Sequence, residues 1–237
     1  MDKYKEIYSD EYYEKADGIE EWKKPCLKFG DNFAAILYAH NINYLDCVKF
    51  FNINENGRNV TLFTLEEQFN YLNQNKKRIP KNILEIGGGR GEVANFLTYH
   101  NYNITSVEFS EFANKWYKET SLQFYNKPIP VKLLNVNIKD IDFDLTQYDT
   151  ILMCESIEHI PKEHFEKFYN NLRDNFNGYF IITNWLNYHP IRANGDEHCR
   201  NIDDDLYDSF SKDALRTVFR NKSHLCLEYG KTTLETN

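Results

Sequence analysis

Three side chains near the middle of the sequence form its most reactive combination: Glu155, Glu158 and His159, followed by Ile160 and Pro161. In a helical turn they stand at i, i+3 and i+4, so they share a face and converge. Two carboxylates and an imidazole can hold a divalent cation that binds acceptor oxygens and makes a hydroxyl more acidic. Without a metal, Glu158 and His159 can pair, and His159 can take the proton by itself. A second cluster is Glu85-Ile-Gly87-Gly88-Gly89-Arg-Gly91-Glu92. Glycines suit a turn that needs unusual backbone angles and that lets a ligand approach the main chain. The spacing disfavours two nucleotide loops. A dinucleotide fingerprint needs glycine where Glu92 stands, and a P-loop needs a Gly-Lys-Ser/Thr run that is absent.

These side chains need elements to hold them. Asn82–Ile86 is a short apolar run that predicts a buried parallel strand ending in the glycines, and Val93, Phe96 and Leu97 predict a helix after it. Asn103–Glu108 predicts a second strand with an acid at its carboxyl end, the end that faces the ligand crevice in open α/β sheets. Ser110 is placed to cap a helix through Thr120. Val131–Leu134, Asp149–Met153 and Gly178–Thr183 predict three more strands, and Lys162–Asn175 a helix with Phe165, Phe168 and Leu172 inward. Leu215, Val218 and Phe219 predict a last helix, before a hairpin of His224–Tyr229 and Lys231–Glu235. Upstream, Thr64-x-x-Glu67 has capping-box spacing, and Pro80 breaks the chain before the glycine strand. Residues 1–60 interleave Tyr, Trp and Phe with charge, which predicts an aromatic cap or lid. The polar loop from Asn184 to Asp204, with Trp185, His189, Arg192 and His198, is expected to contribute to the substrate site.

With Glu85 two residues before the first glycine, Glu108 after the second strand and a Glu-His pair after the fourth, residues 80–230 resemble the class I S-adenosylmethionine-dependent methyltransferases. The resemblance implies an α/β, Rossmann-like fold: a mostly parallel seven-stranded sheet with helices on both faces and an N-terminal helical cap. The expected division is a cap over 1–79 and a cofactor-binding domain over 80–237. Glu85 is expected to face the methionine end of S-adenosylmethionine, with Gly87, Gly88, Gly89 and Gly91 beside it. The carboxylate of Glu108 can accept bonds from both ribose hydroxyls. Asn137 and Ile138 match the adenine turn, where a side-chain acceptor and the next amide meet the base. The family more often has Asp there, so Asp140 stands as the alternative to Asn137. Phe109 and Cys154 complete the residues expected at the cofactor. Glu-x-x-Glu-His is similar to two branches of the family, the small-RNA 3′-terminal 2′-O-methyltransferases and the ubiquinone-pathway O-methyltransferases. In both the resemblance implies a Mg²⁺-type site, here at Glu155, Glu158 and His159. His198, in Gly195-Asp-Glu-His198, matches a further histidine ligand of the first branch.

Composition narrows the function. At 237 residues, with 41% hydrophobic and 16% aromatic residues, the chain can build a real core and reads as one generous domain with an extension. A formal charge of −8, with basic residues clustered only at Lys76, Lys77, Arg78 and Lys81, predicts no DNA partner. Five scattered cysteines without a C-x-x-C pair predict reduced thiols and a cytoplasmic setting, and no apolar run predicts a membrane span. The expected activity is O-methylation of a small polar hydroxyl acceptor, with or without a divalent metal. The acceptor expected is a sugar, nucleotide-sugar or phosphorylated small molecule, of the kind used in bacterial surface polysaccharide synthesis. An RNA 2′-O- or quinone-type O-methyltransferase, or a non-catalytic cofactor-binding subunit, is the alternative. The oligomeric state is left open.

Overall fold

The structure, a computed structural model, describes residues 81–89, 94, 97–98, 102–111, 113–114, 132–140, 142, 144–154, 156–183, 202–220 and 224–230. The N-terminal cap expected over 1–79 and the loop from 184 to 201 lie outside them. Seven strands occur among the described residues: β1 (Asn82–Ile86), β2 (Asn103–Val107), β3 (Lys132–Leu134), β4 (Thr150–Cys154), β5 (Gly178–Thr183), β6 (Arg216–Arg220) and β7 (His224–Tyr229). Two long helices are α1 (Lys162–Asn175) and α2 (Asp204–Asp213). The chain divides into two compact units, one holding the described residues of Gly88–Val136, the other those of Pro80–Gly87 and Asn137–Asn237.

In the first unit β2 and β3 run parallel, with Thr105 opposite Lys132 and Val107 opposite Leu134. Ile104 through Val107 are buried without alternation, the pattern of a strand covered on both faces. The helix expected after β2 starts where Ser110 predicted it. Its hydroxyl accepts the Ala113 N–H at 3.2 Å, which satisfies one of the donors a helix start leaves unpaired.

In the second unit the strand order is β1-β4-β5-β7-β6. The pairings of β1 with β4 and of β4 with β5 are parallel, while β7 pairs antiparallel with both β5 and β6. The Asp149 carboxylate, just before β4, accepts the main-chain N–H groups of Lys81 and Asn82 at 3.0–3.3 Å and so ties down the start of β1. Gly178 opens β5 against the Asp149 backbone, leaving no room for a Cβ. Phe165, Phe168 and Leu172 are buried on α1, as their spacing predicted. Phe165, Tyr169 and Phe210 meet at centroid distances of 4.8–5.9 Å, joining α1 to α2, and Phe180 and Tyr229 extend the cluster into the strands.

One expected element differs. Leu215, Val218 and Phe219 do not form a helix; Arg216–Arg220 is strand β6, and the last helix among the described residues is α2, capped by the Asp203 side chain on Leu206 N–H at 2.9 Å. The i, i+3, i+4 spacing of three apolar residues fits either structure. Pairing with β7 decides it, helped by the Arg216–Glu228 ion pair between the strands and by the β preference of Thr217, Val218 and Phe219. β7 pairs antiparallel with β6, and the second arm expected for its hairpin, Lys231–Glu235, lies outside the described residues.

Candidate functional site

In the second unit, β1 delivers Glu85 to its carboxyl end with 2% of its surface exposed. The next carbonyl, of Ile86, accepts the hydroxyl of Ser156 at 2.9 Å. Gly87 then turns with φ of +74°, and a Cβ there would stand 2.5 Å from the Ser156 Cβ. Glycine is required at 87 on both counts, because the backbone is left-handed and because the chain's own Ser156 fills the space.

The first unit holds the rest of the glycine turn and the acid after β2. Gly88 N–H donates to the Val107 carbonyl at 3.2 Å. Gly89 has φ of +52°, and among the described residues no atom lies within 4 Å of where its Cβ would be. A ligand can therefore reach the main chain at Gly89. Glu108 is 5% exposed. Its Oε2 accepts the Gly89 N–H at 3.0 Å and its Oε1 the Ser110 N–H at 2.9 Å. Main-chain donors thus orient both oxygens. Burial raises the carboxyl above the usual range, against the lowering effect of the N–H groups of Ser110, Gly89 and Phe109. Phe109, half-buried, follows directly.

The second unit also carries the post-strand acid and imidazole. Ile157–His159 is one turn of 3-10 helix, where the spacing suggested an α-helical turn. Glu158 is 1% exposed, and its Oε1 lies 3.6 Å from Nε2 of the partly exposed His159. Glu155 and His198 lie outside the described residues. Among those described, no group of three or more His, Cys, Asp or Glu is placed to hold a metal ion. Asn137 uses Oδ1 to accept the Lys139 N–H at 3.1 Å, closing the turn of Ile138–Asp140 on itself. Ile138 is buried, Asp140 is exposed and Cys154, at the end of β4, is half-buried. Gly91 lies outside the described residues.

Three contributors were missed from sequence. Ser156 is one. The others are Asn114, whose amide donates to the Glu108 and Ser110 carbonyls at 2.9 and 3.1 Å, and Asn135, whose amide donates to the Glu108 and Phe109 carbonyls at 3.3 and 3.2 Å. Together the two amides hold the Glu108–Ser110 main chain from two elements. Asn114 sits four residues after Ser110, a spacing with no distinguishing signal, and Asn135 read only as the start of a polar turn.

The sequence matches the family described as "Methyltransferase domain" over residues 62–222. Among solved structures, the chain is similar to the magnesium protoporphyrin IX methyltransferase ChlM of Synechocystis PCC 6803 with bound SAM. Identity is 13%, 96% of each chain is covered and the TM-score is 0.55. It is also similar to the methyltransferase domain of bacterial CtHen1-CN, at 17% identity over 70% of this chain and 97% of that one, with a TM-score of 0.53. A third likeness is to the glycopeptide N-methyltransferase MtfA, at 11% identity over 68% and 93% of the two chains and a TM-score of 0.50. Nothing among curated protein sequences matches the chain. At these identities the structural likenesses establish the fold.

Proposed function

The chain belongs to the class I, S-adenosylmethionine-dependent methyltransferases, and from that premise we propose that it methylates a hydroxyl of a small polar acceptor, a sugar, nucleotide-sugar or phosphorylated small molecule. The observation that carries the proposal is the pairing at the end of β4: a fully buried Glu158 beside a partly exposed His159, at 3.6 Å. A carboxylate so placed stabilises the cation formed when the ring takes a proton. His159 is the base that removes the acceptor's hydroxyl proton, and Glu158 is its partner.

Bound S-adenosylmethionine supplies a methyl group made electrophilic by its sulfonium. The residues of this chain bind and orient. Glu108 offers both carboxylate oxygens to the ribose hydroxyls, Gly89 leaves its main chain open to close approach, and Glu85 serves the methionine end. Gly88 and Gly91 continue the turn, Phe109 and Cys154 line the cofactor, and Asn137 with Ile138 serves the adenine. The Oδ1 of Asn137 retains one lone pair beyond the Lys139 bond for that purpose. His159 would take the acceptor's hydroxyl proton as the oxygen bonds to the methyl carbon and the sulfur departs in line with the electron pair as S-adenosylhomocysteine, so positioning and deprotonation by this chain's residues would supply most of the help. A divalent metal at this end of the strands would be held by Glu158 and His159 with Glu155 and His198, and would make the acceptor hydroxyl more acidic. The division at residue 80, with an N-terminal extension before the cofactor-binding domain, belongs to this proposal.

Transfer of labelled methyl groups to panels of sugars, nucleotide-sugars, phosphorylated compounds, amines, RNA oligonucleotides and a soluble quinone tests the acceptor class. Hydroxyl compounds of the first three kinds should be labelled; labelling confined to amines or RNA would overturn the assignment. Glu158→Ala and His159→Ala should each lower turnover by about 100-fold or more while changing S-adenosylhomocysteine affinity by less than about threefold. Equal losses in both measurements would remove the pair from catalysis. A chelator arm assigns the metal: turnover that survives chelation leaves His159 as the base, and turnover lost and regained with Mg²⁺ replaces it with an ion-assisted step.

A further inference from the structure

We propose that Ser156 is a positioning residue that locks the glycine turn to the turn carrying Glu158 and His159; the inference rests on the methyl-transfer reading above. Ser156 occupies the N-cap position of the Ile157–His159 turn but makes no side-chain cap bond. A serine there ordinarily accepts an N–H two or three residues on. This one, 5% exposed, instead donates its hydroxyl to the Ile86 carbonyl at 2.9 Å, across 70 residues of sequence. Its own carbonyl accepts the His159 N–H at 3.1 Å. Its Cβ occupies the space beside Gly87 that any other residue at 87 would need. One buried residue thus satisfies the last carbonyl of β1 with its hydroxyl, wedges its Cβ against the left-handed glycine and anchors the imidazole-bearing turn through its carbonyl. Displacing it moves the cofactor turn and the proton-accepting pair together.

The test uses the full chain and S-adenosylhomocysteine as probe. Ser156→Ala leaves the buried Ile86 carbonyl without its donor and should weaken the probe about tenfold by isothermal titration, the effect of one lost buried bond. At a temperature where circular dichroism shows it folded, its amide resonances for Gly87 and His159 should shift together while those of β7 stay in place. A purely stabilising role would leave folded-state resonances and affinity unmoved. A second pair of variants guards against misfolding. Gly87→Ala should weaken binding, and adding Ser156→Gly, which removes the obstructing atoms, should recover part of the loss. Wild-type affinity in Ser156→Ala, or a double variant no better than Gly87→Ala alone, would overturn the proposal. Failure of the wild-type protein to bind the probe would instead overturn the methyl-transfer reading, with the paired resonance shift still deciding the lock.

Discussion

Glu108 meets two opposing demands. Burial favours its neutral form, whereas two main-chain donors and the proposed ribose hydroxyls need an acceptor on both oxygens. Glu108→Gln is therefore no neutral replacement, because its NH₂ would face the N–H of either Gly89 or Ser110. Both Glu108→Gln and Glu108→Ala should weaken S-adenosylhomocysteine by about 2 kcal/mol, roughly thirtyfold; binding equal to wild type by calorimetry would remove Glu108 from the ribose. Acid should act in the same direction. With the folded carboxyl raised, the free protein takes up a proton at a higher pH than an ordinary glutamate, and that proton competes with the hydroxyl donors. Affinity should fall on acidification above the usual carboxylate range, and the Glu108→Ala profile should be flat there. Stability without ligand responds oppositely. Between the ordinary and raised values the folded state holds more protons than the unfolded, so this group's contribution improves as pH falls through that window. A titration series with and without the probe separates the two effects.

At the scale of elements, the end of the second unit that carries Glu85, Ser156 and Glu158 depends on how β1, β4 and β5 are joined at their other end. Asp149 holds the first amides of β1, its own N–H donates to the Asn82 carbonyl at 3.0 Å, and its carbonyl accepts the Tyr179 N–H at 2.9 Å. Gly178 is packed against that same peptide. Gly178→Ala would bring a methyl to 2.8 Å from both the Asp149 carbonyl carbon and the Phe176 ring. The backbone must shift, and the cost should be about 3 kcal/mol, read as a lowered urea midpoint at unchanged slope. An unchanged midpoint would show that the start of β5 is looser than the contacts require. Because Glu85, Ser156 and Glu158 all follow from the registers set there, the variant should also weaken S-adenosylhomocysteine.

At the scale of the whole molecule, alkaline stability should be set by the tyrosines between α1, α2 and β7. The Tyr169 hydroxyl lies 3.1 Å from an Asp213 oxygen and 3.1 Å from the Tyr229 hydroxyl, which donates to the Phe210 carbonyl at 3.1 Å. Each works as a neutral donor. Burial pushes Tyr229 up to about 12, and burial with the neighbouring hydroxyl and carboxylate pushes Tyr169 upward as well. In the unfolded chain both would ionise near the ordinary value of about 10. Above that the unfolded state sheds protons the folded state keeps, so stability falls as pH rises from about 10 toward 12. The double variant Tyr169→Phe/Tyr229→Phe should flatten this decline in thermal melts; a decline as steep as wild type would place its origin elsewhere. No helix among the described residues is long and apolar enough to cross a membrane. The charge of −8 should keep RNA labelling in the acceptor panel at background.

Local features of this protein could be read from the sequence by itself. The apolar run before the glycines, the acid after β2, the cap at Ser110 and the inward face of α1 each follow from neighbours a few residues apart, and the structure has them where the spacing put them. Family membership was legible for the same reason, because its marks are short and ordered along the chain. What depended on distant partners was not. Leu215–Phe219 fits a helix or a strand until β7 supplies the pairing. Ser156 carries no signal until Ile86, seventy residues away, takes its hydroxyl, and only the fold sets its Cβ beside Gly87. The orientation of Glu108 likewise awaited Gly89, Ser110, Asn114 and Asn135. Hydrogen-bond partners and excluded volume are set by approach in space, and only the folded chain brings those groups together.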